Sequence, residues 1–417
     1  MSQTVPQLQA EAKRRGLLYR GLRKAELLEL LKGEHEEKEV KEERKEERKE
    51  TSQPVIKKEK GPLWLKGPVS LTEHKDAAKH VYLFGDYHTK SGVCPPDAHV
   101  VTIPDFISDT VSANAGRSID LFVEVGYARG PRAAEALAKH DPSLLPPAYL
   151  ADIQILFRQC WLDTNRKECN KRWPNLRFHQ VDVRDLAGTG VNQTALIFAW
   201  EATARLQNAV TAADATWPTV AALTPLLLPS GIYGGVDFGR DIFKPWTPQR
   251  IRELLRLSKI EKQLEKIPSA TQRRVVEDTA TGLWNKWTDA EHKAALEAIA
   301  ALRKWGFPLI TAEAKTTKPK SEAKIREIKG WIAAAAKVIR GTAYNMAILL
   351  DLYTVARLLR PYVERSIIYV GEGHARGIRP YLAALGMTEV ASVSARARGS
   401  VPFQCVDLSP FHVPFFQ

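Results

Sequence analysis

Two rhythms of apolar residues alternate along this chain. Four short runs are rich in β-branched and aromatic residues: HVYLF (80–84), SIDLFVEV (118–125), LRFHQVDV (176–183) and RSIIYV (365–370). Their length and composition predict strands. Longer stretches between them repeat apolar residues at helical spacing, among them EALAKHDPSLLPPAYLADIQILF, TALIFAWEATARLQNAVTAA, IRELLRLSKIEKQLEKI and AYNMAILLDLYTVARLLRPYV. Strands interspersed with helices predict an α/β domain over residues 62–417, with a largely parallel sheet. The helical block from about 186 to 360 reads as a large insertion, a lid or a helical subdomain. Within it, TTKPKSEAK (316–324) reads as a flexible loop.

The pattern before residue 62 is different. Val5, Leu8 and Ala12 recur at helical spacing, a basic loop GLLYRGLRK follows, and Leu27, Leu28, Leu30 and Leu31 mark a second short helix ended by Gly33. This helix–extended-loop–helix unit, residues 1–33, resembles the SAP module through Leu8, Ala12, Gly16, Leu17, Gly21, Lys24, Leu27 and Leu31. The resemblance implies DNA as a partner. Lys13, Arg14, Arg15, Arg20, Arg23 and Lys24 would then contact phosphates, which gives salt-dependent affinity with little sequence choice. A helical hairpin used for protein contact is the plainer reading. Residues 34–61 are almost all charged and contain too few apolar residues to build a core, so they read as a linker.

Charge strengthens the polyanion reading. The 417 residues carry a formal net charge of +13, which favours acidic partners, nucleic acid ahead of anionic membrane. The absence of a run of about 18 apolar residues argues against a membrane span, and the polar start MSQTVPQLQAEAKRRG is unlike a secretion signal. An intracellular chain is expected, with Cys94, Cys160, Cys169 and Cys405 as free thiols, since none shows CxxC spacing. Nothing in the sequence sets the oligomeric state.

Chemistry gathers where the predicted strands end. HVYLF runs into Gly85, Asp86 and His88; SIDLFVEV carries Glu124; LRFHQVDV carries His179 and Asp182 and precedes Arg184; RSIIYV runs into Gly371, Glu372, Gly373 and His374. In open α/β sheets, ligands bind at the carboxyl ends of the strands, so these residues are expected in one cleft. Two imidazoles and a carboxylate, His88, Glu124 and His374, suit either a divalent metal or acid–base chemistry. Asp86 and Glu372 either assist that site or cap the helices that follow. Asp182 and Arg184 form either a buried ion pair or part of the catalytic set. Glycines at 371 and 373 read as turn-makers. The spacing G-x-G-x-x-x-G at the last strand leaves no room for a following βαβ unit and argues against NAD or FAD. The aromatic tail FHVPFF reads as a docking surface.

VYLFGDYH, DLFVEV and IIYVGEGHARGIRPYLAALGM together resemble the TIKI/TraB superfamily, which takes in ChaN-like and erythromycin-esterase-like proteins. The resemblance spans about residues 78–390. It implies a hydrolytic domain, with metal-dependent proteolysis and ester cleavage among the family's activities, and it places His88, Glu124 and His374 on metal or catalytic positions. The family's Arg-Asn pair before the last strand is met here only by Arg340 and, separately, Asn345. Arg177, His179, Asp182 and Arg184, in an R-x-H-x-x-D-x-R strand, resemble instead proteins of large DNA viruses, which adds a virion or replication site to the nucleus as expected locations. The alternative is a DNA-binding scaffold without catalysis.

Overall fold

The computed structural model describes residues 63–87, 93–95, 98–126, 149–162, 167–187, 246–285, 322–395, 397–398 and 401–417, with isolated positions between 293 and 300. The chain divides into Met1–Lys60 and Gly61–Gln417, and all described residues belong to the second unit. The SAP-like segment, with Lys13, Arg14, Arg15, Arg20, Arg23 and Lys24, lies outside the described residues, as does His88.

Six strands form the main sheet: β2 (Ser70–Lys75), β3 (His80–Asp86), β5 (Ile119–Gly126), β6 (Leu176–Asp182), β7 (Arg365–Gly371) and β8 (Thr388–Ser394), in the spatial order β6-β5-β7-β3-β2-β8. The four runs expected as strands are the four neighbours β6, β5, β7 and β3, and every pair among them is parallel. β2 and β8 add antiparallel pairs at one side. A separate three-stranded sheet joins β1 (Leu63–Lys66) to β4 (His99–Thr102) and to β11 (Cys405–Asp407); β9 (Ala397–Arg398) and β10 (Val401–Pro402) form a two-stranded ladder. The fold is thus mixed α/β with a mostly parallel main sheet.

Alternation along the strands divides the core into two layers. Val81, Leu83, Phe122, Ile368 and Val370 face one side. They pack under α5 (Pro248–Leu257), α6 (Ile260–Leu264), α7 (Ala270–Trp284), α8 (Glu322–Leu358) and α9 (Glu372–Ala384). Tyr82, Phe84, Leu121, Val123 and Tyr369 face the other side, under α1 (Ile103–Ala113), α2 (Tyr149–Leu156), α3 (Arg158–Leu162) and α4 (Lys167–Arg172). A central parallel sheet buries both faces, which is why its strands read as nearly continuous apolar runs. The described parts of the 186–360 block therefore share one core with the sheet. Thr247 and Ser269 start α5 and α7 by accepting from the backbone N–H of Arg250 and Gln272. α9 ends at Gly386, whose φ of +81° closes a Schellman turn: Gly386 N–H donates to Ala383 and Met387 N–H to Leu382.

Two expectations are corrected. The cysteines are not free: Cys94 pairs with Cys405, which the fold brings together across 311 residues, and Cys160 pairs locally with Cys169, nine residues on. The aromatic tail is not a docking surface. Phe411, Phe415 and Phe416 are buried, and Phe415 stacks on Tyr82 with ring centroids 3.5 Å apart. Asn114 and Arg117 donate to the carbonyls of Phe415 and Phe416 and fix the tail in place.

Candidate functional site

At the carboxyl ends of β5, β6 and β7, on the α8–α9 face, four charged groups meet. Glu124 leaves β5, Arg184 follows β6, His374 lies in the first turn of α9, and Asp351 comes from about two turns before the end of α8. His374 Nδ1–H donates to Asp351 Oδ1 at 2.7 Å. His374 Nε2 lies 3.4 Å from Glu124 Oε1 and 3.1 Å from Arg184 Nη1. Arg184 Nη2 donates to Glu124 Oε1 at 2.8 Å, while its Nε and Nη2 grip the two oxygens of Asp182 at 2.8 and 2.9 Å. The other oxygen of Glu124 accepts from the backbone N–H of Gly371 at 2.8 Å. All four side chains are nearly buried: His374 and Glu124 have exposures of 8%.

Why the sequence folds this way is local. β7 passes directly into α9, so the first turn of that helix stands beside the ends of β5 and β6. Gly371 has an ordinary extended backbone (φ −57°, ψ 149°), and a Cβ on Gly373 would meet open space, so neither is needed as a turn-maker. In this cluster the steric duty falls to Gly377. A Cβ there would stand 2.0 Å from Asp351 Oδ2, so its absence is what lets α8 bring Asp351 up to His374.

Electrostatics hold a proton in this cluster. Burial alone would lower the His374 pKa, but the carboxylates of Glu124 and Asp351 outweigh it and push the imidazole up to about 9. Burial pushes the Asp351 carboxyl up as well, against the pull of His374. Both directions agree with one proton resting on the 2.7 Å His374–Asp351 contact. Arg184 stays charged: burial opposes this, and Asp182 and Glu124 overcome it. The Nε2 contacts belong to two protonation states. A protonated Nε2 donates to Glu124; a bare one accepts from Arg184.

The remaining candidates sit elsewhere. Asp86 is buried on the opposite face of the sheet, accepting from Gln404 at 3.2 Å. Its carboxylate, after burial itself, helps raise the Tyr369 phenol. Glu372 is a bracket between β2 and α9: it accepts from the Ser70 hydroxyl and, at 2.7 Å, from Arg376. Gly85 makes room for it, since a Cβ there would stand 1.9 Å from Glu372 Oε2. As the first residue of α9, Glu372 is also well placed for the helix dipole. Arg340 is exposed, and Asn345 is buried in α8 with its carbonyl accepting from Trp284.

The R-x-H-x-x-D-x-R strand serves two places. Asp182 and Arg184 belong to the cluster above. Arg177 and His179 instead hold Asp120, near the amino end of β5. Arg177 grips its two oxygens at 2.8 and 2.6 Å, and His179 Nε2–H donates at 2.7 Å while Nδ1 accepts from Arg357 at 2.8 Å. His179 stacks on Phe122, with ring centroids 4.4 Å apart. Burial would raise the Asp120 carboxyl, but Arg177 and His179 hold it below the usual range. Asp351 and Arg357, six positions apart on α8, thus reach the two polar clusters at opposite ends of the same strands.

Sequence reasoning missed Asp351. Its signal was present: one acid inside AILLDLYTVARLL, an otherwise apolar helical stretch where an unpaired charge would be costly. No model of a known protein family, no curated protein and no solved structure matches this chain.

Proposed function

We propose that residues 62–417 form a hydrolase-like domain whose reacting group is His374, and that residues 1–33 tether it to DNA. One observation carries the catalytic reading: a buried histidine is oriented by Asp351 through Nδ1 while Nε2 faces both a carboxylate and a guanidinium. A histidine so held can accept and return a proton, as general acid–base catalysis requires. In its neutral form, Nε2 takes a proton from a water that displaces its contact with Arg184 Nη1, as the water oxygen bonds to a carbonyl carbon. The imidazolium so formed is stabilised by Asp351 and Glu124. It gives the proton to the leaving oxygen or nitrogen as that bond breaks. Arg184 holds Glu124 in place and presents positive charge beside the developing oxyanion. Carboxylic esters and amides are the substrate class this chemistry serves, in keeping with the TIKI/TraB resemblance.

A divalent ion does not fit the described residues as they stand. Arg184 already occupies the facing atoms of Glu124 and His374, so no step above is routed through a metal. The DNA reading is supported by the basic residues of the N-terminal segment and the net charge of +13. The test uses the full-length chain on activated esters and peptides. Hydrolysis that is lost in His374→Gln and strongly reduced in Asp351→Asn, with both variants folded, supports the reading. Folded wild-type chain that turns over none of these substrates leaves the DNA-binding scaffold.

A further inference from the structure

We infer that Arg184 is the resident cation of this site: its guanidinium takes the place that a divalent ion would fill between Glu124 and His374. This rests on the proposed site and says what kind of positive charge it uses. Three observations lead to it. First, the donor spacing is that of an ion site. Two ligand bonds of about 2.1 Å at a tetrahedral angle separate their donor atoms by about 3.4 Å. Glu124 Oε1 and His374 Nε2 are 3.4 Å apart.

Second, the guanidinium sits on those same two atoms. Nη2 is 2.8 Å from Glu124 Oε1 and Nη1 is 3.1 Å from His374 Nε2, so one planar fork spans the pair. Third, Arg184 is locked there and is not a visitor from the surface. Its side chain is 10% exposed, its Nε and Nη2 hold both oxygens of Asp182, and its own backbone N–H donates to Asp182. Glu124 is fixed from behind by Gly371, and His374 by Asp351. Every member of the arrangement is thus held with Arg184 in the centre.

The charge count gives the consequence. With Arg184 present, its positive charge offsets Asp182 and Glu124. Without it, Asp182 and Glu124 lose the guanidinium contacts that hold them, and removing one partner of a buried ion pair is strongly unfavourable. Glu124 Oε1 and His374 Nε2 would then be an oxygen and a nitrogen donor of the kinds that zinc and manganese accept. Removing the arginine should create an ion site that the wild-type chain does not offer.

The experiment measures bound metal on the untagged full-length chain, dialysed against Zn²⁺ or Mn²⁺ and then against metal-free buffer. Wild type, Arg184→Ala, Arg184→Gln and the double variant Arg184→Ala/His374→Gln are compared, with folding checked by circular dichroism. Wild type is expected to retain no stoichiometric ion, the two single variants one ion per chain, and the double variant none. A wild-type chain that retains one ion per chain, lost in His374→Gln alone, overturns the inference. So does a folded Arg184 variant that binds no ion. Should Arg184→Ala fail to fold, Arg184→Gln keeps more of the side chain, and the wild-type measurement still decides. Metal content is read without turnover, so this result stands apart from whether any ester is hydrolysed.

Discussion

His374 couples the site to the stability of the whole domain, and the coupling has a definite sign. The perturbation is pH. Its imidazole has an ordinary pKa of 6.5 when unfolded and about 9 when folded, because Glu124 and Asp351 outweigh the cost of burial. Folding therefore takes up a proton in this interval. The stabilisation is fully present below pH 6.5 and is lost as pH rises through about 9. At about 1.4 kcal/mol per pH unit, the gap corresponds to about 3 kcal/mol. The chain has ten histidines, so the wild-type curve alone is a sum over several groups. The assay is urea denaturation from pH 6 to 10 for wild type and His374→Gln, with the difference isolating this residue. The wild-type advantage should be largest near pH 6 and shrink by about 3 kcal/mol toward pH 10. Two curves that stay parallel over the whole range would show that His374 does not hold its proton against these carboxylates.

Three further outcomes follow from single contacts. Gly377→Ala would put a Cβ 2.0 Å from Asp351 Oδ2. It should cost about 1–3 kcal/mol as an overpacked site and move the His374 titration, followed by NMR, down from about 9. Asp120→Ala removes the acceptor of Arg177 and His179; thermal or urea unfolding should show a loss of about 3 kcal/mol, the low end for a buried pair because Arg177 is partly exposed. Deleting residues 1–33 should abolish binding to duplex DNA, and the full chain's log affinity should fall with log salt at a slope of up to about −5 if all six basic residues contact phosphate. Unchanged affinity after the deletion would assign DNA binding to the surface of residues 62–417.

Much of the sheet was legible because burial on both faces forces long apolar runs. Ile119–Gly126 and Arg365–Gly371 could hardly be anything other than central strands. The antiparallel side was hidden. β2 reads SLTEHK, and Thr72, Glu73 and His74 are buried by contacts that no periodicity announces: Glu73 accepts from His80 and Tyr82, and His74 pairs with Thr72. β8 reads TEVASVS and is mostly exposed, as an edge strand can be. In the site, Glu124 and His374 were visible as polar residues at strand ends. Asp351 stood out only as one acid in an apolar helical stretch; its pairing was hidden, since its partner lies 23 residues later and depends on how α8 crosses α9. The cysteine pairing escaped for the same reason: Cys94 and Cys405 are 311 residues apart in sequence, and only the fold makes them neighbours.

The central claim is that His374, held between Asp351 and Glu124, is the proton-transfer group of a hydrolytic site. The most direct measurement is the pH–rate profile of activated-ester hydrolysis by the full-length chain, wild type against His374→Gln. A general base must be neutral to act, so the wild-type rate should rise with pH toward a plateau beyond about 9. Folded His374→Gln should show no more than the uncatalysed rate. A variant that keeps the wild-type rate and profile would contradict the account.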